Sequence, residues 1–159
     1  MAYIVDGNNV MGQTPGWHRD KVGARRRLLS QLADFSNAAK ARIAVVFDGG
    51  ADSDFPEGSA HKGVKVLYAR RGSDADQRIV EMVESARDRA GITVVTSDRQ
   101  LGFLVKSAGA KVVRSGDFRR SMERAVSTED QPAEKGIEPG DLSAWLRYFG
   151  RSSEDDEDE

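Results

Sequence analysis

Four short apolar runs in this chain each lead to an aspartate, and those aspartates are the residues with chemistry to offer. Tyr3-Ile4-Val5 leads to Asp6, Ile43 to Phe47 leads to Asp48, Val64 to Tyr68 leads to the segment holding Asp74 and Asp76, and Ile92 to Val95 leads to Ser97-Asp98. Short continuous apolar runs of this kind read as buried parallel strands. In an open parallel sheet, chemistry sits in the crevice outside the carboxyl ends of the strands. Acids far apart in sequence then meet at one edge. Gathered like charges repel unless a cation neutralises them, so the pattern calls for a hard divalent ion with oxygen ligands.

Asp6, Asp76 and Asp98 are the candidate ligands for Mg2+ or Mn2+, and Asp48 and Asp74 complete the candidate catalytic set. An ion held there polarises a phosphoryl oxygen and acidifies a bound water, which makes phosphodiester hydrolysis by a metal-activated water the natural reaction. Asp74 and Asp76 face a choice, because residues two apart on a helix point roughly 200° apart. Asp76 is expected in the site, with Asp74 as helix cap or outer support. Asn8 and Asn9 can donate to a phosphate or orient a carboxylate, and the hydroxyls of Thr96 or Ser97 can bond a metal-bound water. Arg70, Arg71, Arg99, Arg114, Arg119 and Arg120 flank the same edge and suit phosphates on either side of a scissile bond. Lys62 is a further candidate contact, and Trp17 and Phe55 are candidates for stacking on a base. Arg25-Arg26-Arg27 reads as a solvated helix face, and His18 and His61 as loop or surface residues. A single aspartate after a strand is ordinary turn chemistry; it is the joint pattern that carries the reading.

At 159 residues, 38% hydrophobic and 31% charged, the chain suits one globular domain. No apolar stretch approaches the ~18 residues of a membrane span. A strand beginning at Ala2 leaves no room for an export signal, so the cytoplasm is the expected location. The chain has no cysteine, which excludes disulfides, thiolate zinc sites and a cysteine nucleophile. Its net charge of −2 hides an asymmetry, because residues 154–159 are all acidic. Without those six, 24 basic side chains stand against 20 acidic ones, a body compatible with a polyanionic partner.

Strands are expected at 2–6, 43–47, 64–69, 92–96 and 110–113. Helical patterns are expected from about 20 to 39, from 74 to about 90, after Asp98, and from Ser115 to about 126. Gly7-Asn8-Asn9 reads as a turn and residues 49–63 as a long loop. The alternation gives an α/β fold of three layers, with a mostly parallel sheet of about five strands between helices. The domain is expected over 1–126. A linker follows over 127–138, then an amphipathic helix over 139–150 that docks on the body, and a disordered acidic tail over 151–159. The tail is a solubilising end or a mobile competitor of a polyanion.

Asp6-Gly-Asn-Asn9, Val45-Val-Phe-Asp48, Ser73-Asp-Ala-Asp76-Gln-Arg-Ile79 and Val95-Thr-Ser-Asp98 together resemble the NYN domain superfamily, and within it the YacP-like branch of bacterial endoribonucleases. The resemblance implies a PIN-like (Rossmann-like) fold with an acidic metal centre. It assigns Asp6, Asp76 and Asp98 to that centre and either Asn8 or Asn9 to the asparagine that follows the first acid. It implies cleavage of RNA, single-stranded mRNA above all, in the bacterial cytoplasm, with the ribosome as a candidate partner. Branch members often carry Ala-Asp-Glu where this chain has Ala75-Asp76-Gln77, a change that removes one acid. The alternative is an RNA- or ribosome-binding module with a weak acidic centre. A phosphoryl-accepting aspartate is a third reading, disfavoured because Asp6-Gly-Asn lacks the second acid of a phosphatase start.

Overall fold

Strand β1 (Ala2–Asp6) is buried along nearly all its length, and its side chains divide alternately between two cores. Tyr3 and Val5 face one layer of helices; Ile4 faces the other. The computed structural model describes residues 2–69 and 74–129, without the side chains of 127–129. Arg70 and Arg71, the expected linker past residue 129, the expected docking helix 139–150 and the acidic tail lie outside the described residues.

The other elements follow in order: α1 (Gly7–Met11), a 3-10 turn at Trp17–Arg19, α2 (Lys21–Ala39), β2 (Arg42–Phe47), β3 (Ala60–His61) and β4 (Val64–Tyr68). Then come α3 (Ala75–Ser85), a 3-10 turn at Arg89–Gly91, β5 (Ile92–Val95), α4 (Arg99–Ser107), β6 (Lys111–Val113) and α5 (Ser115–Glu129). Six strands form one sheet in the order β3-β4-β2-β1-β5-β6. All are parallel to their neighbours except β3, which runs antiparallel to β4.

Helices α1, α2 and α5 cover one face, where the rings of Tyr3, Phe35 and Phe118 meet at centroid distances of 5.2 to 5.7 Å. Truncating Phe118 at this junction to alanine would cost about 3–5 kcal/mol. Helices α3 and α4 cover the other face through Ile79, Val83, Leu101 and Val105. The result is the expected three-layer α/β/α fold. Among the described residues, no helix is long and apolar enough to cross a membrane.

Three local expectations are corrected. Gly7-Asn8-Asn9 is no turn but the opening of α1, which follows Asp6 directly. Glycine is required at its start, because a Cβ on Gly7 would lie 2.5 Å from the Phe47 ring. Residues 49–63 contain the sixth strand, β3, which has no apolar signature and forms through backbone pairing with β4. His61 pairs with Val64, which in turn aligns with Ile43 near the start of β2. The turn carrying Lys62 therefore lies at the edge of the sheet opposite Asp6, away from the acids.

The chain steps outward from β1 through β2 to β4, then returns to the other side of β1 for β5 and β6. The crevice between the carboxyl ends of β1 and β5 is thus the topological switch point, where open α/β sheets place their ligands.

Candidate active site

Asp6 ends β1 at that crevice and is only 5% exposed. Thr96, the first residue past β5, donates its buried hydroxyl to Asp6 Oδ2 at 2.9 Å. The hydroxyl oxygen of Thr96 in turn accepts the Asp98 N–H at 3.1 Å. Asp98 caps α4, its Oδ1 accepting the amides of Gln100 and Leu101 at 2.9 and 3.1 Å. Across the crevice Asp74 caps α3 by accepting the Gln77 amide at 2.9 Å. Asp76 lies in the first turn of the same helix, near enough to Asp98 for the two carboxyl groups to interact. Asp48 is joined to the same helix, its Oδ1 accepting the Ala75 amide at 2.9 Å.

These acids act on one another. Burial pushes the Asp6 carboxyl up to about 7 against the pull of its Thr96 hydrogen bond, and the charges of Asp76, Asp48 and Asp98 add to the rise. Asp76 is pushed up to about 6, first by burial, then by the charges of Asp98, Asp74 and Asp48 and by its hydrogen bond to Asp98. The like charges gathered around Asp76 thus disfavour its ionised form. None of the ion pairs among the described residues involves these five acids. The N-termini of α3 and α4 bring partial positive charge to the cluster.

Among the described residues, no three His, Cys, Asp or Glu side chains close around one point tightly enough to grip an ion together. The donor set nevertheless fits a hard divalent cation. Every donor is a carboxylate oxygen, the acids repel one another, and magnesium is commonly held by one or two carboxylates with water completing its shell. Asp76 and Asp98, whose charges act on one another, are two such carboxylates.

The asparagines brace the acids. Asn8 Oδ1 accepts the Asp48 N–H at 3.0 Å. Asn9 Oδ1 accepts the Ser97 N–H at 2.8 Å and the Ser115 hydroxyl at 2.6 Å, while Ser97 Oγ accepts the Ser115 N–H at 3.0 Å. Asn9, Ser97 and Ser115 thus form a closed ring that ties α1, the turn after β5 and the start of α5. The hydroxyl of Ser115, the first residue of α5, is spent on this ring.

The basic residues separate into two groups. Arg99 and Arg114 are exposed at the carboxyl edge. Arg119 donates to Thr14 Oγ1 at 2.7 Å, and Arg120 pairs with Asp117. The reading of Arg25-Arg26-Arg27 as a solvated face holds for the exposed Arg26 and Arg27 and fails for Arg25. Arg25 donates to the carbonyls of Asp48 and Gly50, with its guanidinium 5.1 and 5.3 Å from the ring centroids of Phe47 and Tyr68. Arg26 pairs with Asp52 and Asp54. These two arginines pin the segment after β2, a role with no local sequence signal because the partners lie more than 20 residues away. Trp17 and Phe55 are partly buried against the first core, under Lys21 and Arg26 respectively, rather than standing open for a base.

The profile of the YacP-like NYN domain family matches residues 3–144. Among solved structures, the chain is similar to Rae1 (YacP) from Bacillus subtilis, with 21% identity and a TM-score of 0.69 over 93% of this chain and 94% of that one. The W164L mutant of the same protein gives 23% identity and a TM-score of 0.70 over 94% and 92%. At these identities the likeness carries the fold. No curated protein sequence matches. The family profile spans most of the chain, including all five clustered acids, and the chain belongs to the YacP-like NYN domain family.

Proposed function

We propose that this protein is a metal-dependent endoribonuclease that hydrolyses single-stranded RNA, mRNA above all. Family membership supports a nuclease-type, RNA-related function. The observation that carries the finer reading is the convergence of Asp6, Asp48, Asp76 and Asp98, drawn from four sequence regions, into mutual electrostatic contact at the switch point. Asp76 and Asp98 would hold Mg2+ or Mn2+, with Asp6 beside them. Such an ion, when bound, supplies charge neutralisation for the phosphate and a more acidic water.

The rest falls to the chain's own residues. Asp98 commits Oδ1 to the α4 amides, which fixes its orientation, and Thr96 fixes Asp6 against the same turn. Arg99 and Arg114 take the phosphates flanking the scissile bond, and the positive ends of α3 and α4 favour the anion. A water attacks phosphorus and the bond to the 3′-oxygen breaks, leaving a 5′-phosphate and a 3′-hydroxyl. The cytoplasm is the proposed location, with the ribosome as a candidate partner.

The open arrangement of the acids, and Gln77 where branch members carry an acid, favour a second reading: an RNA- or ribosome-binding module with little turnover. Purified protein incubated with end-labelled single-stranded RNA separates the two. Cleavage that needs Mg2+ or Mn2+, stops in excess chelator and leaves 5′-phosphates supports the nuclease. Salt-dependent binding with no cleavage in either metal supports the module.

A further inference from the structure

Helix α4 begins at the acidic pocket and carries Phe103, which at 69% exposed is the most exposed large apolar side chain among the described residues. Arg99, Phe103 and Lys106 lie four and three residues apart, so all three fall within one arc of the helix surface. That arc points away from Leu101 and Val105, which are buried in the second core. The helix has no acidic residue between Arg99 and Ser107, and neither Arg99 nor Lys106 is in an ion pair among the described residues. An isolated surface phenylalanine needs no explanation. An uncovered ring between two such cations, on the helix whose cap stands in the acid cluster, calls for one.

We infer that this face of α4 is a track for single-stranded RNA leaving the pocket, with a base stacked on Phe103 and phosphates held by Arg99 and Lys106. The helix rises about 10 Å from Arg99 to Lys106, the rise of about three stacked nucleotides. An aromatic platform with flanking cations is the chemistry that grips single strands without reading sequence. Charge decides among occupants: an apolar protein segment gains nothing from Arg99 and Lys106, whereas a polyanion gains from both. The inference rests on RNA being the substrate and extends it by naming where the strand runs.

The test is RNA affinity in chelator, read by fluorescence anisotropy on a single-stranded RNA of about 12 nucleotides. Phe103→Ala should weaken binding about tenfold, Phe103→Trp should restore it, and Phe103→Leu should not. Arg99→Ala with Lys106→Ala should lower the salt dependence by about one ion per cation removed. Phe103→Leu binding as tightly as wild type would overturn the stacking, as would Phe103→Ala binding unchanged. If Phe103→Ala abolishes self-association or the binding of a protein and leaves RNA affinity intact, the face belongs to a protein and the track is overturned. Cleavage of a dinucleotide, whose single nucleotide beyond the scissile bond falls short of Phe103 about 6 Å along the helix from Arg99, is measured alongside. Wild-type cleavage with Phe103-independent binding sinks the track alone, and Phe103-dependent binding without any cleavage sinks the nuclease alone.

Discussion

Thr96 donates to Asp6 through the same hydroxyl oxygen that accepts the Asp98 amide, so one buried side chain couples the acid of β1 to the acid capping α4. The bond crosses the switch point of the sheet, just past the last paired residues of β1 and β5. Replacing Thr96 with valine keeps the volume but strands the buried Asp6 carboxyl and the part-buried Asp98 N–H. Stability should fall by about 2 kcal/mol in urea unfolding, and turnover by about tenfold or more at saturating RNA. Turnover that survives Thr96→Val would mean that Asp6 needs no help in holding its place.

Asp98→Asn offers a cleaner separation of folding from chemistry. Asparagine caps helices about as well as aspartate, so α4 should keep its first turn and the melting temperature should stay within a few degrees. Cleavage should fall by at least about a hundredfold, because one of the two carboxylates proposed to hold the ion is gone. Comparable cleavage by the folded variant would remove Asp98 from the mechanism.

The Asp6 carboxyl makes a prediction with a definite sign. Its folded value of about 7 lies above the ordinary 3.8, so folding takes up a proton between those values. Below about pH 4 the group is protonated in both states and has no effect. As pH rises from about 4 to about 7 its burial increasingly opposes folding, and above that the penalty is constant, on the order of a few kcal/mol. Asp6→Asn should therefore gain stability relative to wild type across that interval when both are unfolded in chelator. A difference that does not change with pH would contradict the burial of an ionisable Asp6.

The ring of Asn9, Ser97 and Ser115 should behave as a unit. Asn9→Ala and Ser115→Ala should each cost about 1 kcal/mol, and the double variant less than their sum. RNA affinity in chelator should not change in either. A drop in RNA affinity confined to Asn9→Ala would make Asn9 a substrate contact instead of a brace.

Much of the fold is legible in the sequence. The strands of a parallel sheet are buried on both faces, so Ile43 to Phe47 and Ile92 to Val95 stand out as apolar runs, and the acids at their ends follow from the fold class. The two-residue β3 is not legible, since Ala60 and His61 carry no pattern and pair only because β4 is there. Asn8 and Asn9 stand out as polar groups beside an acid, but nothing local reveals that their oxygens face the amides of Asp48 and Ser97. Arg25 escapes a sequence reading for the same reason: its partners are carbonyls brought to it by the sheet. Helix geometry alone poses the choice between Asp74 and Asp76, and the structure gives the cap to Asp74.

The central claim is that the acids at the strand ends form one site for a divalent cation. Isothermal titration of Mn2+ into wild type and Asp76→Asn measures that without RNA or turnover. Saturable binding by wild type, weakened at least about tenfold in Asp76→Asn, is the expected result. Equal binding by both proteins, or none by wild type, would contradict it.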